Sequence, residues 1–423
     1  MADRPLRSFG RALGHVAPRP RLIFGVALVV AAMPAGAEPV VGAYYAASGK
    51  PEAAASVPAG QLTHLIYAFA TMCGTHPSIS AEAAKERARL CRGRRPFEIL
   101  IPADAPVRAE LDALAAQKRR NPALKLILSI GGWGMPLYPE MIRTAGTRAR
   151  FVRSVADFLR THREFDGVDV DWEYPGGGDA ARPLLGDRER KAESEAFRAL
   201  AAELRAAIDR LGRGSGRSYQ LTAAVAGYPR SVRGVDWRRT QGYFNYLFVM
   251  TYDFTPEKAF EARGDYSGGG GPPGHHSNLY ASAATGGYGA DAMVRTLAAA
   301  GVPRAKMVIG AGFYAREWKE VDWSAGSFPA ATSKGVFVGT LPYKGLKDQE
   351  GLREGYDEAA GAAYLVGERR FLSFDDRRSI CAKGEWAVRN GLAGIFAWEA
   401  SQDDGSLAQA MRDSVDGGCG AIR

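Results

Sequence analysis

The chemistry-bearing residues of this chain are concentrated in the stretch FDGVDVDWEYPG, residues 165–176. Side chains on a β-strand alternate between its two faces, so Asp169, Asp171 and Glu173 would share one face. Carboxylates about 7 Å apart in a partly dry site cannot all ionise cheaply, so at least one should hold a proton near neutral pH. The Tyr-Pro-Gly that follows ends the strand, which places the acids at its carboxyl end, where barrels and open α/β sheets carry their chemistry. The stretch therefore predicts an acid/base site.

Two other interpretations of the three acids are weaker. A polar strand end that only caps the fold would lose stability by stacking acids on one face without using them. A divalent cation also binds carboxylate oxygens, but acids in a row on one strand diverge rather than converge on one ion. His275 and His276 are adjacent rather than four apart on a helix, which disfavours a metal site there. We expect no metal and no cofactor.

The elements that would position these acids repeat along the chain. Eight apolar, β-rich runs are visible: VVGAYY, THLIYAFA, KLILSIGG, GVDVDW, YQLTAAVA, YLFVMTYD, MVIGAGFY and GIFAWE. Apolar residues three and four apart predict helices between several of them, at 148–162, 193–211, 288–300 and 379–390. Strand and helix in eightfold alternation predict an α/β fold, a (β/α)8 TIM barrel.

One connection is too long for a plain barrel loop. Residues 314–373 are rich in glycine, aromatic and β-branched residues, and they contain the strand-like runs GVFVGTLPYKGL and AAYLVGERRFLSF. We predict that they form a small α+β insertion domain between strand 7 and helix 7. The barrel would then comprise residues 38–313 and 374–423.

The first 37 residues have the pattern of a signal peptide. Basic residues between positions 4 and 21 precede a short apolar run, and an A-x-A cleavage site ends at Ala37. The apolar run is about 11 residues, short for a bilayer that needs about 20. We therefore expect a secreted or periplasmic protein with no stable membrane anchor after cleavage.

Charge and cysteine content fit an exported protein. Without residues 1–37 the formal net charge falls from +9 to +5, because five Arg and one Asp leave. That mild excess, with no nucleic-acid motif, indicates a solvated surface and no nucleic-acid partner. Export permits disulfides. Of the three pairings that four cysteines allow, we predict Cys73 with Cys91 and Cys381 with Cys419.

Several motifs together give the chain a family resemblance. They are DGVDVDWE at 166–173, LSIGGW at 128–133, MTYD at 250–253, FYAREW at 313–318 and FAWE at 396–399. The sequence resembles the family 18 glycoside hydrolases, the chitinase family, over nearly all of the chain after Ala37. In that family the substrate's own acetamido oxygen is the nucleophile, so a second catalytic carboxylate is not expected.

The resemblance implies a role for each matching residue. Glu173 would be the general acid/base, Asp171 would orient the acetamido group, and Asp169 would share a proton with Asp171. Tyr252 would hydrogen-bond the acetamido carbonyl. Trp398 would be the floor on which the distorted sugar stacks. Further substrate contacts are expected from Met250, Asp253, Trp133, Tyr45, Phe69, Tyr174 and Arg316. Ala315 stands where the family commonly has glycine, which affects how Tyr314 and Arg316 are presented.

The function implied is that of a secreted chitinase, which hydrolyses β-1,4 bonds between N-acetylglucosamine units by a retaining, substrate-assisted mechanism. Its partners would be chitin or chitooligosaccharides, and a monomer is expected. An endo-β-N-acetylglucosaminidase or a peptidoglycan glucosaminidase is the alternative within the family, because loops set specificity on barrels. A chitin-binding lectin is a third hypothesis, which the retention of Glu173 disfavours.

Overall fold

Eight parallel strands close into a barrel in the computed structural model, which describes residues 38–102, 104–177, 184–254, 273–281, 285–324, 328 and 334–420. In chain order the strands are β1 (Val40–Ala46), β2 (His64–Met72), β3 (Ile99–Leu100), β4 (Lys125–Gly131), β5 (Gly167–Asp171), β6 (Gln220–Ala226), β7 (Tyr246–Met250), β8 (Met307–Gly312), β9 (Tyr314–Asp322), β10 (Lys334–Pro342), β11 (Arg353–Asp357), β12 (Ala362–Val366), β13 (Arg370–Phe374) and β14 (Gly394–Trp398). The predicted signal peptide, residues 1–37, lies outside the described residues.

The barrel consists of β1, β2, β4, β5, β6, β7, β8 and β14, and it closes because β1 pairs with both β14 and β2. Each of the eight apolar runs in the sequence supplies one of these strands, so the predicted (β/α)8 TIM barrel is confirmed. Residues of both faces are buried, as expected for parallel strands covered by helices. One apolar cluster fills the barrel interior, and a larger one lies between the strands and the outer helices.

The helices form the outer layer. In the described residues they are α1 (Pro51–Ser56), α2 (Ala81–Leu90), α3 (Ala105–Arg120), α4 (Tyr138–Ile142), α5 (Ala145–Thr161), α6 (Asp187–Ser215), α7 (Pro229–Val232), α8 (Trp237–Thr240), α9 (Ala290–Ala299), α10 (Arg377–Arg389) and α11 (Ser406–Asp416). The four predicted helices correspond to α5, α6, α9 and α10. α5 buries Phe151, Val155 and Leu159, four apart on one face, and a capping box at Thr144 begins it. None of the helices in these ranges is long and apolar enough to cross a membrane.

The segment after β8 forms a second sheet. Strands β9 to β13 pair antiparallel in the order β10-β9-β13-β12-β11 and make a five-stranded sheet of their own. Its two faces pack around Leu372 and Phe374 on one side and around Trp318 and Phe371 on the other. A 3-10 helix, Tyr343–Asp348, lies between β10 and β11. The treatment of residues 314–373 as a separate domain stays a prediction.

Both predicted disulfides are present. Cys73, directly after β2, bonds to Cys91 at the end of α2. Cys381 in α10 bonds to Cys419, which follows α11. The pairs close loops of 18 and 38 residues in sequence separation. Each loop closure restricts the unfolded chain and stabilises the fold by about 3 to 4 kcal/mol.

Candidate active site

Asp169 lies inside the barrel beneath the opening at the carboxyl ends of the strands. It is fully buried, and its carboxylate accepts hydrogen bonds from three hydroxyl groups: Tyr44 at 3.0 Å, Ser129 at 2.7 Å and Thr222 at 2.7 Å. Burial raises the pKa of Asp169, and the three hydroxyl donors oppose that rise by stabilising the charged form. Three donors thus hold the carboxylate of Asp169 in place on β5.

Asp171 is two residues further along β5, on the same face and 2% exposed. Burial raises its pKa well above the ordinary aspartate value, and the nearby carboxylates of Glu173 and Asp169 and a hydrogen bond with Glu173 raise it further. Its Oδ1 atom is buried and has no hydrogen-bond partner within the described part of the chain. The raised pKa favours the protonated form of Asp171, and its Oδ1 atom is left for an incoming group.

Glu173 follows the strand end and is half-buried, at the border of two adjoining cavities. The alternation predicted from the sequence therefore holds through the strand, with Asp169 deepest, Asp171 above it and Glu173 at the rim. Gly131 on the neighbouring β4 makes room for this arrangement, because a Cβ atom there would lie 2.1 Å from the carbonyl oxygen of Asp171. Its φ of 122° also favours glycine.

Tyr252 projects into the same space just beyond the end of β7. Burial raises the pKa of its hydroxyl well above the ordinary value, and Asp171 and Glu173 add to the rise. Tyr252 is therefore protonated and can donate a hydrogen bond. Its ring lies against Gly310 of β8, where a Cβ atom would come within 2.8 Å of the Tyr252 Cε1 atom.

Aromatic rings make the floor of this space. Trp398, at the end of β14, stacks on Phe69 with ring centroids 5.7 Å apart and an interplanar angle of 21°. The ring of Tyr44 also packs against Trp398, with the ring centroids 5.7 Å apart. An apolar floor of this kind offers a face on which a sugar ring can stack.

These groups enclose a cavity of about 610 Å³. Of the twelve residues predicted from the sequence, ten line it: Asp171, Glu173, Tyr252, Trp398, Met250, Asp253, Trp133, Phe69, Tyr174 and Arg316. Asp169 lies beneath it, bonded to Tyr44 and not exposed to the space. The structure therefore brings eleven of the twelve together at one end of the barrel.

The placement of Tyr45 corrects the sequence prediction. Tyr45 is fully buried on the outer face of β1, and its hydroxyl donates a 2.6 Å hydrogen bond to Glu110 of α3. Tyr44, its neighbour, points into the barrel and lines the cavity. Adjacent residues of a strand face opposite sides, and two consecutive tyrosines give no signal about which of them is inside.

The cavity also has lining residues that the sequence analysis missed. They are Gly227, Tyr228, Phe337, Gly339 and Thr340, in addition to Tyr44. Three of these belong to β10, which brings one edge of the five-stranded sheet to the cavity. Because the pairing of β10 with β9 is set by the fold of residues 314–374, no local motif marked them.

Arg316 and Asp253 meet at the wall of the cavity. The guanidinium of Arg316 donates to Asp253 Oδ1 at 3.3 Å and lies 4.6 Å from the centroid of the Phe337 ring. Arg316 is 5% exposed, so its charge is held in place by the carboxylate and by the ring face. The residue at 315, where glycine was expected, is buried in the core of the second sheet.

A second cavity, of about 870 Å³, adjoins the first. The two share Trp133 and Glu173, so Glu173 stands between two spaces that a long substrate could occupy together. Trp133 is 57% exposed. Exposed tryptophan at the junction of two cavities is suited to stacking on a sugar ring.

No cluster of three or more His, Cys, Asp or Glu side chains in the described ranges is placed to hold a metal ion. The three carboxylates of the site are instead engaged with hydroxyl groups and with one another.

A barrel of parallel strands with stacked carboxylates at its carboxyl end, beside an aromatic floor, defines a TIM-barrel enzyme. The sequence model of the Glycosyl hydrolases family 18 matches residues 40–403. The chain belongs to this family and is a glycoside hydrolase.

Relatives of known name agree with this assignment. The chain is 32% identical over 445 residues to Chitinase A of Pseudoalteromonas piscicida, a match that covers 90% of this chain and 52% of that protein. It is 34% identical over 397 residues to the probable endochitinase of Orgyia pseudotsugata multicapsid polyhedrosis virus, with 85% of this chain and 68% of that protein covered. The chain thus spans about half the length of Chitinase A.

A solved structure shares the fold over its whole length. The family 18 N-acetylglucosaminidase from Paenibacillus barengoltzii has a TM-score of 0.70 and 28% sequence identity to this chain. The superposition covers 89% of this chain and all of that one.

Proposed function

We propose that this chain hydrolyses β-1,4 bonds between N-acetylglucosamine units of chitin, with retention of configuration and with Glu173 as general acid/base. The relatives named chitinases support the substrate. The observation that carries the mechanism is the pairing of the buried Asp171, whose pKa is raised by burial and by Glu173, with Glu173 at the junction of two cavities. Both carboxylates rise from one strand, so neither stands across a sugar ring from the other, as a water-activating base would.

In the first step the acetamido carbonyl oxygen of the substrate attacks the anomeric carbon, and the glycosidic C–O bond breaks. Asp171 and Glu173 share one proton, and on substrate binding that proton passes to Glu173, which leaves Asp171 as a carboxylate. Glu173 then gives the proton to the leaving oxygen. Asp171 Oδ1, buried and without a partner in the described residues, would accept the acetamido N–H, while the Tyr252 hydroxyl would donate to the carbonyl oxygen. These contacts hold the nucleophile in line and stabilise the charge that develops on the acetamido group.

In the second step water attacks the anomeric carbon of the oxazolinium ion. Glu173, now a carboxylate, takes a proton from that water, and the ring opens to restore the acetamido group. Two displacements at one carbon retain its configuration. Trp398 and Phe69 supply the surface on which the distorted sugar stacks during both steps.

The second sheet would serve specificity in this mechanism. Phe337, Gly339 and Thr340 of β10 line part of the cavity. We treat residues 314–373 as an insertion domain that deepens the cleft and encloses more of a chain-like substrate.

We also propose that the protein is exported and that cleavage after Ala37 releases it. The two disulfides support this, because such bonds persist in oxidising compartments. The amino-terminal residue of the mature protein, determined by mass spectrometry after expression in a secreting host, should be Glu38. A protein that keeps residues 1–37 in the cell would contradict the proposal.

The test of the reaction compares wild type with Glu173→Gln on N-acetylchitohexaose. We expect the variant to bind the hexamer and to lose turnover by about 10³-fold, because the general acid is gone. Glu203→Gln is the control, since Glu203 pairs with Arg148 on the outer helices and should leave the rate unchanged. Proton NMR should show the retained anomer first. An unchanged turnover rate in Glu173→Gln, or inversion of the anomeric configuration by wild type, would contradict the mechanism.

Substrate class is tested in parallel with an N-glycopeptide and with peptidoglycan. Cleavage of the hexamer but neither of these supports the chitin assignment. Cleavage of only the glycopeptide or the peptidoglycan would leave the mechanism and change the substrate. Binding of the hexamer without cleavage of any substrate would favour a lectin.

A further inference from the structure

A fully buried ion pair lies below the cavity wall and takes no part in the proposed reaction. Lys383 of α10 and Asp375, which follows β13, are both inaccessible to solvent, and the Lys383 Nζ atom is 2.6 Å from both carboxylate oxygens. Burial lowers the pKa of Lys383, and Asp375 opposes that change. Two charges removed from water cost several kcal/mol each in desolvation, so a buried pair is weak as a source of stability.

Asp375 joins three parts of the chain. Its oxygens accept hydrogen bonds from the backbone N–H of Gly312 at the end of β8 (3.0 Å), from the Ser277 hydroxyl (2.7 Å) and from the Ser379 hydroxyl (2.7 Å). Lys383 donates to the same Ser277 hydroxyl at 2.8 Å. The pair therefore fixes the segment that contains Ser277 against the barrel.

That segment touches the backbone on both sides of Tyr252. The Ser277 hydroxyl lies 3.4 Å from the carbonyl oxygen of Thr251. The carbonyl oxygen of His276 accepts the backbone N–H of Phe254 at 2.9 Å. The backbone N–H of His276 is itself held by the Ser373 hydroxyl at 3.0 Å.

The residue after Tyr252 needs such support. Asp253 has a φ of 56°, a left-handed conformation that is strained for a residue other than glycine. Its backbone N–H lies 3.4 Å from Nδ1 of the fully buried His276, and its carbonyl accepts the Tyr228 hydroxyl. Strain of this kind persists only where the surroundings determine the conformation. Here it turns the chain so that Tyr252 and Asp253 both line the cavity.

We propose that Lys383 and Asp375 are positioning residues, which act through Ser277 and His276 to hold Tyr252 and Asp253 in place for the reaction. This inference rests on the role of Tyr252 in the proposed function. A purely structural ion pair would affect melting but would not act on turnover through one particular tyrosine. The two roles therefore differ in what a kinetic measurement shows.

The first variants are Ser277→Ala and Lys383→Met, assayed on N-acetylchitohexaose well below their melting temperatures. Ser277→Ala removes the link and leaves the ion pair, whereas Lys383→Met removes the charge and keeps the length of the side chain. We expect each to lower kcat about tenfold with KM changed less than about twofold, because the substrate still binds but the reacting groups are displaced. Circular dichroism and the melting temperature verify folding, and Ser277→Ala decides alone if Lys383→Met does not fold.

Lys118→Met is the matched control. Lys118 is likewise paired with an aspartate, Asp166, and is partly buried, but this pair lies at the amino end of β5, at the opposite end of the barrel. The Lys118→Met variant should have a lower melting temperature than wild type and an unchanged kcat. A tenfold loss of kcat in Lys118→Met would mean that any weakened ion pair slows the enzyme, and it would overturn the inference.

The decisive readout is a double-mutant cycle with Tyr252→Phe. If Ser277 acts through Tyr252, Ser277→Ala should lower kcat by less than about twofold in the Tyr252→Phe background. Losses that multiply would overturn the positioning role while the role of Tyr252 stands. Unchanged kcat in Ser277→Ala and Lys383→Met would do the same. If Tyr252→Phe itself leaves kcat unchanged, the assignment of Tyr252 in the proposed function fails, and this inference fails with it.

Discussion

Asp169 and Asp171 are two residues apart on one strand, but their surroundings make them different acids. Three hydroxyl groups donate hydrogen bonds to Asp169, while Asp171 has one oxygen without a partner in the described part of the chain and lies beside Glu173. The sequence pattern predicted the shared face. It did not predict the hydroxyl donors, because they come from β1, β4 and β6, far away in the chain. Asp169 and Asp171 therefore differ because of the residues that surround them, and not because of their spacing in the sequence.

The raised pKa of Asp171 makes a stability prediction. A carboxyl whose pKa is higher in the folded state favours folding below its unfolded value of 3.8, and that contribution is lost as the pH rises through the folded value. Asp171→Asn removes the titration and keeps the shape. The free energy of unfolding of the variant, relative to wild type, should therefore increase between pH 4 and pH 8 in urea denaturation. A difference that stays constant over that range would show that Asp171 titrates normally.

At the scale of elements, the ends of the barrel strands determine the site. The last inward-facing residues of several strands lie at the opening: Asp171 on β5, Trp398 on β14 and Tyr252 just beyond β7. The Tyr-Pro-Gly that follows the acids predicted the end of β5, whereas Tyr252 and Trp398 were expected from the family resemblance. Tyr45 was expected as a substrate contact on the resemblance, and strand periodicity could not correct this, since it determines that Tyr44 and Tyr45 face opposite sides but not which of them is inside. The wall supplied by β10 was not predictable either, because it depends on how two sheets meet.

Gly310 tests how closely the strands must approach at this end. A Cβ atom at 310 would lie 2.8 Å from the Tyr252 ring and 3.0 Å from the carbonyl oxygen of Val249. Gly310→Ala should push the ring aside and lower kcat by about tenfold or more, since misplaced groups lose their alignment. Gly60→Ala is the control, because a Cβ atom at 60 meets nothing within 4 Å. Steady-state kinetics on N-acetylchitohexaose, with melting temperatures, compare the two; equal kcat values would contradict the prediction.

At the scale of the whole molecule, the two ends of the barrel have different tasks. The carboxyl end carries the strained Asp253, the Asp171 oxygen that has no hydrogen-bond partner among the described residues, and the cavities. In barrels of this type the residues at the amino end contribute to the stability of the fold rather than to catalysis. His64, the first residue of β2, lies there, with its ring nitrogens bonded to Thr63 and to Gln220 across the barrel.

His64 predicts how the molecule responds to acid. Burial lowers its pKa from 6.5 to about 4, so the folded barrel holds it neutral while the unfolded chain can protonate it. The stability due to this difference is complete above pH 6.5 and is lost as the pH falls towards 4, by about 3 kcal/mol in total. His64→Gln keeps a polar side chain but cannot titrate, so the variant should lose less stability than wild type between pH 7 and pH 4. Urea denaturation at a series of pH values measures the difference. Parallel curves for the two proteins would mean that the barrel accommodates a charged His64, and that acid acts on the fold through its carboxylates instead.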